Sequence, residues 1–549
     1  MYSVPRLLLA ILLLLSQTGT AQKLKKADKL VISNLQAHVA YLADDKLEGR
    51  RAGSKGEELA MTYISQQFQQ IGLQPKGERN GYYQSFNIYD GKEYNKSFLI
   101  INSNHIEANK FFPLPSSPKA SLEALPSIAL RESGVPWFMN LSEELQNNTN
   151  NPHFDIQDFL LQKSKEFAKK GATCLIVYNT SAIDDKLIFD GKQKGEPLTI
   201  PVIYVTKDVA KKYFSDETAA IDLKLKVEFT DKNRIGHNVV GFIDNGATST
   251  VIMGAHFDHL GYGEDGNSMF RGTEKLIHNG ADDNASGTAG LIELARMLKA
   301  SKIKKYNYLF VAFSGEELGL FGSKYYTEHP TIDLSQVNFM INMDMIGRMN
   351  DSSKTITIAG FGTSPSWSSI LTEAGNSKYF TAKYDSSGTG PSDHTSFYRK
   401  DIPVLFFFTG LHSDYHRPTD DADKINYTGE YYIIRYVNNI IAASSKQNKL
   451  AFTKTREQQT STSARFSVSM GIMPDYTYNG TGVRVDGVSE GRAAQKAGLK
   501  TGDIVVQLGQ NNIASLEMYM QALGKYKKGD KTTVKVKRAA EEKTFEITF

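Results

Sequence analysis

The chain has 549 residues, of which 40% are hydrophobic and 23% charged, and its net charge is +4. A single hydrophobic core stops growing at about 250–300 residues, so this length predicts two or three domains. The composition excludes a disordered or fibrous chain. The small net charge, without a long run of Lys or Arg, gives no reason to expect nucleic acid or an anionic membrane as a partner.

The first residues have the pattern of an export signal. Arg6 supplies positive charge, residues 7–15 form an apolar stretch too short to span a bilayer, and Ala21 ends a small-residue cleavage pattern. We therefore predict a signal peptide over residues 1–21 and a mature protein that is secreted or periplasmic. Because no cysteine follows the cleavage point and no later apolar stretch is long enough, neither a lipid anchor nor a membrane span is expected.

Three kinds of sequence follow in chain order. Residues 28–72 have apolar positions at intervals of three and four, which predicts helices. Residues 111–235 are first proline-rich and then contain helix and strand patterns, which predicts an inserted α+β domain. Up to about residue 450, apolar β runs alternate with amphipathic helices. This alternation predicts an α/β domain with a doubly wound, mostly parallel sheet and helices on both faces, formed by residues 22–110 and 236–450.

The last part of the chain is predicted to be a separate domain. Residues 455–464 are polar and lack periodicity, which indicates a linker over residues 451–464. Residues 465–549 contain short β runs, glycine turns and one helix, which predicts a small β-rich domain. Cys174 is the only cysteine, so no intrachain disulfide can form, and its apolar neighbours favour a buried side chain over a nucleophile. Metal is therefore the first candidate for chemistry.

Side chains suited to metal binding follow the apolar runs of the α/β domain. In an open parallel sheet, ligands bind outside the carboxyl ends of the strands. The residues at these positions are His256, Asp258, Glu316, Glu317, Asp344 and His416, and the acidic turn GADDNASG lies between the first two runs. Any one of them alone is more often a cap or a solvated side chain. Their concurrence at one edge predicts a functional site.

Imidazoles and carboxylates without thiolates favour zinc, with cobalt or manganese as substitutes. The carboxylates outnumber what one ion needs, which favours two ions that share a carboxylate and activate one water. A carboxylate that is not a ligand must then accept the proton of that water. In SGEELG, one glutamate can bind metal while its neighbour faces the water. Asp258 is suited to orient the imidazole of His256.

The segments AHFDHLG, NGADDNASGTA, FSGEELGLFGS, NMDMIG and SDYHRPTDD resemble, in order and spacing, the secreted dizinc aminopeptidases. Their clan includes bacterial leucyl aminopeptidases, glutamate carboxypeptidase and the glutaminyl cyclases. The resemblance covers about residues 22–110 and 236–445. It implies the zinc exopeptidase fold and two Zn²⁺ ions per chain.

The resemblance also implies roles for individual residues. The metal ligands it implies are His256, Asp282, Glu317, Asp344 and His416, with Asp282 shared between the two ions. Glu316 would be the general base and acid, and Asp258 would orient His256. The peptide bond between Asp282 and Asp283 would be cis, which costs about 2.5–4 kcal/mol for a residue other than proline.

Other residues in these motifs receive weaker assignments. For Tyr415, contact with the tetrahedral intermediate and simple packing both stay open. Asp393 is expected to support the site, and the role of His394 is left open. The remaining histidines are expected to be structural or on the surface: His38, His105, His153, His237, His259, His278, His329 and His412.

The two additional domains resemble known modules. KGATCLIVYN and IPVIYV in residues 111–235 resemble a protease-associated domain. GRAAQKAGLKTGDIVVQLG in residues 465–549 resembles a PDZ domain. Its loop Ser469-Met470-Gly471-Ile472 would bind the carboxyl terminus of a peptide through backbone N–H groups.

The hypothesis from the sequence is a secreted, zinc-dependent aminopeptidase acting on peptides with a free amino terminus. A carboxypeptidase or dipeptidase on the same scaffold stays open and would need a basic pocket. The arginines available for it are Arg271, Arg348, Arg399 and Arg417. A glutaminyl cyclase would keep one zinc, and a non-catalytic receptor-like scaffold would lack ligands, so the full ligand set argues against both.

Overall fold

The structure is a computed structural model. It describes residues 24–149, 154–193, 196–270, 272–375, 379–455, 468–475, 478, 480–488, 491–526, 529–539 and 541–549. The predicted signal peptide, most of the predicted linker, Arg271 and His153 lie outside them. The α-helices are α1 Lys26–Leu42, α2 Lys55–Ile71, α3 Ser142–Asn147, α4 Ile156–Lys169, α5 Lys207–Tyr213, α6 Gly287–Ala300, α7 Phe321–Glu328, α8 Trp367–Ala374, α9 His394–Tyr398, α10 Tyr427–Ser444, α11 Ala493–Ala497 and α12 Leu516–Leu523.

The strands alternate with these helices along the chain. The strands up to residue 243 are β1 Gln74–Pro75, β2 Tyr83–Glu93, β3 Phe98–Ile101, β4 Asn104–His105, β5 Phe111–Pro113, β6 Ala120–Ala124, β7 Trp137–Asn140, β8 Leu175–Tyr178, β9 Val202–Val205, β10 Leu223–Val227 and β11 Thr230–Ile243. The later strands are β12 Thr250–His256, β13 Asn307–Phe313, β14 Val337–Met343, β15 Thr355–Ala359, β16 Thr381–Tyr384, β17 Val404–Phe408, β18 Ile472–Pro474, β19 Val483–Val488, β20 Ile504–Leu508, β21 Asn511–Asn512, β22 Lys531–Arg538 and β23 Glu541–Thr548.

The main sheet has the order β1-β11-β13-β12-β14-β17-β15-β16, with β2 paired to β11. Its central strands β13, β12, β14 and β17 are parallel, whereas β11 and β15 join them antiparallel. Every residue of β12 and β14 is buried, because helices cover both faces of the sheet. The predicted doubly wound α/β class is confirmed, and the sheet is mixed, with its parallel part at the centre.

Two hydrophobic cores lie on opposite faces of this sheet. Val251 packs into the core formed with α1, α2, α6, α8 and α10, whereas the next residue, Ile252, packs into the core that contains Tyr326 of α7 and Phe397 of α9. Neighbouring residues of a strand point to opposite faces, which explains the division. The central strands are therefore fixed from both sides, and the loops at their carboxyl ends start from rigid positions.

The insertion forms two sheets of its own, β4-β3-β10-β6 and β5-β9-β8-β7, with separate cores. β3 pairs with β10 across more than a hundred residues, so the segment from Phe98 shares a sheet with residues of the predicted insertion. Cys174 is buried in this insertion, as predicted.

The carboxyl-terminal sheet, β18-β19-β20-β22-β23 with β21, has its own core. The first residues of the predicted linker pack on the α/β domain, since Thr453 N–H donates to Thr363 O. In the described part of the chain, no helix combines the length and the apolar character needed to cross a membrane.

Candidate metal centre

Four parallel strands bring their carboxyl ends to one edge of the main sheet. β12 ends at His256, β13 is followed by Glu316 and Glu317, β14 is followed by Asp344, and β17 leads through a turn to His416. The π-helical turn Ala281–Ser286 lies beside them, before α6. These segments lie together at one edge of the sheet, as expected from the sequence.

The first group of donor atoms lies around His256. Its Nε2 atom is 3.4 Å from Asp283 Oδ1 and 3.3 Å from Asp344 Oδ1. On the other side of the ring, its Nδ1 atom lies 3.2 Å from the backbone oxygen of Asp258 and 3.6 Å from Asp258 Oδ1. Asp344 Oδ2 accepts a hydrogen bond of 2.7 Å from the Ser392 hydroxyl. Asp258 therefore lies where a residue that orients the imidazole is needed.

The second group lies around Glu317. Its Oε2 atom is 3.1 Å from His416 Nε2, which is itself 3.2 Å from Asp283 Oδ2. Asp283 thus faces His256 with one oxygen and His416 with the other. His416 Nδ1 donates to Asn267 O at 2.9 Å, which fixes the orientation of this ring. One carboxylate belongs to both groups, so they form a single cluster.

The predicted shared ligand, Asp282, does not lie in this cluster. Its Oδ1 accepts hydrogen bonds from Gly347 N–H at 2.7 Å and from the Ser286 hydroxyl at 3.0 Å. Its Oδ2 lies 3.2 Å from His412 Nε2. Asp282 therefore ties its turn to the segment after β14, and the structure puts Asp283 in the shared position.

The cis peptide bond also lies one residue later in the chain than predicted. It joins Asp283 to Asn284, so the prediction of a cis bond between Asp282 and Asp283 is wrong by one residue. The backbone N–H groups of Asp282 and Asp283 both donate to Asp420 Oδ2, at 2.9 and 3.1 Å. This shared acceptor holds the turn while the two side chains point to different sides.

The spacing of the donor atoms fits zinc. Two ligand atoms bound at about 2.0–2.2 Å in a tetrahedral arrangement lie roughly 3.3–3.6 Å apart. The imidazole–carboxylate separations in the two groups are 3.1 to 3.4 Å. Hydrogen-bonded N and O atoms lie about 2.7–3.2 Å apart. The two separations at His256, 3.3 and 3.4 Å, exceed that range, and the two at His416, 3.1 and 3.2 Å, lie at its upper end. The donor set, imidazole and carboxylate without thiolate, is also one that zinc accepts.

Arg50 is a buried residue of this edge that the sequence did not single out. Its guanidinium donates to the carbonyl oxygens of Phe257 at 2.7 Å, Asn279 at 2.6 Å and Gly280 at 2.9 Å, and also to that of Leu42. One buried cation therefore joins the segment after β12 to the turn that contains the shared aspartate. Burial lowers the pKa of Arg50 to about 10, against the opposing effect of the nearby carboxylates.

One histidine expected to be structural, His259, lies at the cluster, and another, His412, lies beside it. His259 Nδ1 is 2.7 Å from Glu317 Oε1, and His259, Asp283 and Glu317 offer donor atoms within 4.8 Å of one another. His412 faces Asp282, as described above. A signal for His259 was present in the sequence, because AHFDHLG places a second imidazole directly after the strand end. His38, His237 and His278 instead pair with Glu293, Glu57 and Ser268.

The crowded carboxylates change the pKa values in the cluster. Burial, together with the carboxylates of Asp344 and Asp393, raises the pKa of Glu316 well above its usual value. Burial opposes protonation of His416, but Glu317 and Asp283 outweigh it and raise the pKa of His416 to about 11. The cluster therefore has an electrostatic potential that favours positive charge.

The remaining predicted residues lie beside the two groups. Glu316 is partly exposed and belongs to neither donor group, while its N–H donates to Asp258 Oδ1 at 3.2 Å. The Tyr415 ring stacks on the His416 ring with centroids 3.9 Å apart. Asp393 is buried, and burial raises its pKa to about 7. His394 stacks on Phe406, and burial lowers the pKa of His394 to about 3.

Comparison with known families now identifies the domain around this cluster. Residues 238–441 match the model of peptidase family M28. This part of the chain is therefore similar to peptidase family M28. Residues 451–549 match the PDZ domain model. The family resemblance stated from the motifs is therefore confirmed for the M28 domain and for the PDZ domain.

Individual curated relatives match about half of the chain. The chain is 27% identical over 277 residues to "Aminopeptidase YwaD" of Bacillus subtilis, which covers 48% of this chain and 55% of that protein. It is 30% identical over 260 residues to "Aminopeptidase" of Pseudomonas aeruginosa, covering 45% of each. The chain thus spans about half the length of the curated relatives it matches. A solved aminopeptidase from Aneurinibacillus sp. strain AM-1 has a TM-score of 0.40 and 22% identity, covering 77% of this chain and 95% of that one.

Proposed function

We propose that the chain is a zinc-dependent aminopeptidase that removes residues from the free amino end of peptides. Two zinc ions would be held by the side chains of His256, Asp344, Glu317 and His416, with Asp283 shared between them. The observation that supports this proposal is the shared carboxylate, whose two oxygens face two imidazoles at distances suited to ligands of a metal ion. The names of the relatives support the choice of aminopeptidase over other peptidases.

In this proposal each residue beside the ligands has a separate task. Zinc, when bound, lowers the pKa of water and polarises a carbonyl group. The carboxylate of Glu316 accepts the proton of the attacking water and delivers it to the departing amine. Asp258 and the carbonyl of Asn267 hold the rings of His256 and His416 in place. The Tyr415 hydroxyl donates a hydrogen bond to the oxygen of the tetrahedral intermediate.

The surroundings of the cluster favour an amine end over a carboxyl end. A carboxypeptidase needs a cation free to bind the substrate carboxylate. Arg348, a candidate for that role, already pairs with Asp414 at 3.1 Å and lies 3.8 Å from Asp420. A carboxylate-rich site of this kind suits a positively charged α-amine.

The other regions have supporting roles in the same proposal. The insertion is a protease-associated domain that lies beside the M28 domain without chemistry of its own. The loop Ser469-Met470-Gly471-Ile472 of the PDZ domain binds the carboxyl end of a peptide. Residues 1–21 direct the protein to the periplasm or the exterior of the cell.

Zinc content and a blocked substrate test the main proposal. The purified protein should contain about two zinc ions per chain, and exhaustive chelation should abolish hydrolysis of a fluorogenic aminoacyl substrate. Acetylating the amino group of the substrate should remove nearly all turnover. Full activity after chelation would contradict a zinc peptidase. Equal cleavage of blocked and free substrates would indicate a carboxypeptidase or an endopeptidase.

A further inference from the structure

The proposed function gives no task to His259, an imidazole of the cluster. Its side chain is fully buried, and its Nδ1 atom lies 2.7 Å from Glu317 Oε1. The ring also stands edge-on to the His416 ring, with centroids 5.9 Å apart. A buried imidazole in contact with two ligands of the proposed centre is either a further ligand or a group that holds a ligand in place.

The distances separate these two roles. The four imidazole–carboxylate separations assigned to metal ligands are 3.1 to 3.4 Å. The separation of 2.7 Å between His259 Nδ1 and Glu317 Oε1 is shorter than all of them and has the length of a charge-assisted hydrogen bond. An ionised carboxylate only accepts hydrogen bonds, so the proton lies on Nδ1. This length favours His259 as a hydrogen-bond partner of the proposed metal ligand Glu317.

The two oxygens of Glu317 consequently have different partners. Oε1 faces His259, whereas Oε2 lies 3.1 Å from His416 Nε2. A carboxylate on a flexible two-carbon stem can rotate and present either oxygen. A donor fixed at Oε1 removes that freedom and leaves Oε2 directed at the shared side of the cluster.

The backbone fixes His259 in turn. Its N–H donates to Arg50 O at 3.2 Å, and it forms an isolated parallel bridge with Arg51. On the opposite side, the ring lies against Gly280, where a Cβ atom would come within 2.4 Å of the imidazole. Gly280 has φ +56°, so both its conformation and its lack of a side chain make room for this ring.

From this geometry we infer that His259 is a positioning residue. It holds Glu317 by a hydrogen bond to Oε1 and so sets the affinity of the ion bound by Glu317 and His416. The inference rests on the proposed two-zinc site. Loss of such an outer partner of a metal ligand typically weakens metal binding by about 10–100-fold.

Zinc affinity, measured by competition with a chromogenic chelator, tests this inference in the full-length protein. His259→Phe keeps a ring but removes the donor, and should weaken one of the two zinc ions by about 10–100-fold. His259→Asn keeps an N–H near the position of Nδ1 and should restore most of that affinity. His38→Phe is the matched control, since it changes another buried histidine that pairs with a glutamate, Glu293, and should leave both affinities unchanged.

Results that contradict the role of His259 differ from results that contradict the proposed function. A wild-type protein that does not bind two zinc ions contradicts the proposed function. Two zinc ions bound to His259→Phe as tightly as to wild type overturn the inference. Equal loss in His259→Phe and His259→Asn also overturns it, because the imidazole itself would then be the ligand. If His259→Phe does not fold, His259→Ala takes its place in the same comparison.

Discussion

Two clusters of carboxylates in the described part of the chain differ in what neutralises them. In the first, at the carboxyl ends of the central strands, Asp283, Glu317 and Asp344 face the imidazoles of His256 and His416. Imidazoles can be neutral, and the nearby cation Arg50 directs its hydrogen bonds to backbone carbonyls. We call this the metal cluster.

In the second cluster, every carboxylate has permanent cations as partners. Asp265 accepts hydrogen bonds from Arg51 at 2.8 and 2.9 Å and from Lys192 at 2.6 Å. Arg234 lies 3.2 Å from Asp265 and 3.3 Å from Asp90. The pKa of Asp265 is held well below its usual value, because these partners outweigh the effect of burial. We call this the ion-pair cluster.

The difference in the partners of the carboxylates indicates which cluster is a binding site for metal ions. Buried charges are tolerated when they are paired, and the ion-pair cluster is complete without any addition. The metal cluster has at least three carboxylates against two rings whose affinity for protons is raised. Divalent cations supply the missing charge, and their removal leaves the carboxylates uncompensated. The metal cluster should therefore depend on added ions, whereas the ion-pair cluster should not.

The largest expected effect comes from the shared carboxylate. Asp283→Ala removes a donor from both groups, so both zinc ions should be lost and turnover should fall by about 10³-fold or more, since metal ions contribute several kcal/mol to such reactions. Zinc content and kcat measured on the same preparation check this. Asp282→Asn is the control, because an amide oxygen can still accept from Gly347 N–H. Retained zinc in Asp283→Ala with loss in Asp282→Asn would restore the sequence-based assignment.

The sequence was sufficient to predict the site residues whose positions follow from the direction of the strands. His256, Glu317 and Asp344 each follow a continuous apolar run, and parallel strands deliver such positions to one edge. The choice between Asp282 and Asp283 could not be made in this way. It depends on a π-helical turn with a cis bond, and the two adjacent residues have the same chemistry.

Residues distant in sequence were missed for a different reason. Arg50 precedes Phe257 and Gly280 by more than two hundred residues, and its partners are backbone carbonyls that have no signature in the sequence. The pairing of β3 with β10 joins segments more than a hundred residues apart, and local composition does not reveal it. Such contacts form only when the whole domain has folded.

A smaller effect on the metal, but a large one on turnover, is expected at Glu316. Glu316→Gln cannot accept a proton, so it should keep both zinc ions and lose about 10²–10⁴-fold in kcat. Glu317→Gln instead weakens a ligand, so zinc content should fall and excess zinc should partly restore the rate. Metal loss in the first variant and retention in the second would reverse the two roles. A change below tenfold in both would place the active site elsewhere.

The smallest effect on turnover is expected in the ion-pair cluster. Asp265→Asn removes one of the two carboxylates that Arg51, Arg234 and Lys192 share and leaves them sharing only Asp90. It should lower the melting temperature by several degrees, since breaking a buried pair costs about 3–5 kcal/mol. Zinc content should stay at two, and kcat should change by less than tenfold. Asp265 lies two residues before Asn267, whose carbonyl accepts a hydrogen bond from His416, so the variant should lose at most a modest part of its zinc affinity.

The stability that Asp265 contributes depends on pH. Its pairing stabilises the fold above the ordinary Asp pKa of 3.8, and this stabilisation is lost as the pH falls through the lowered pKa of Asp265 in the folded state. The difference in melting temperature between wild type and Asp265→Asn should therefore be constant near neutral pH and narrow only below about pH 4. Loss of both zinc ions in this variant would show that the two clusters are not independent.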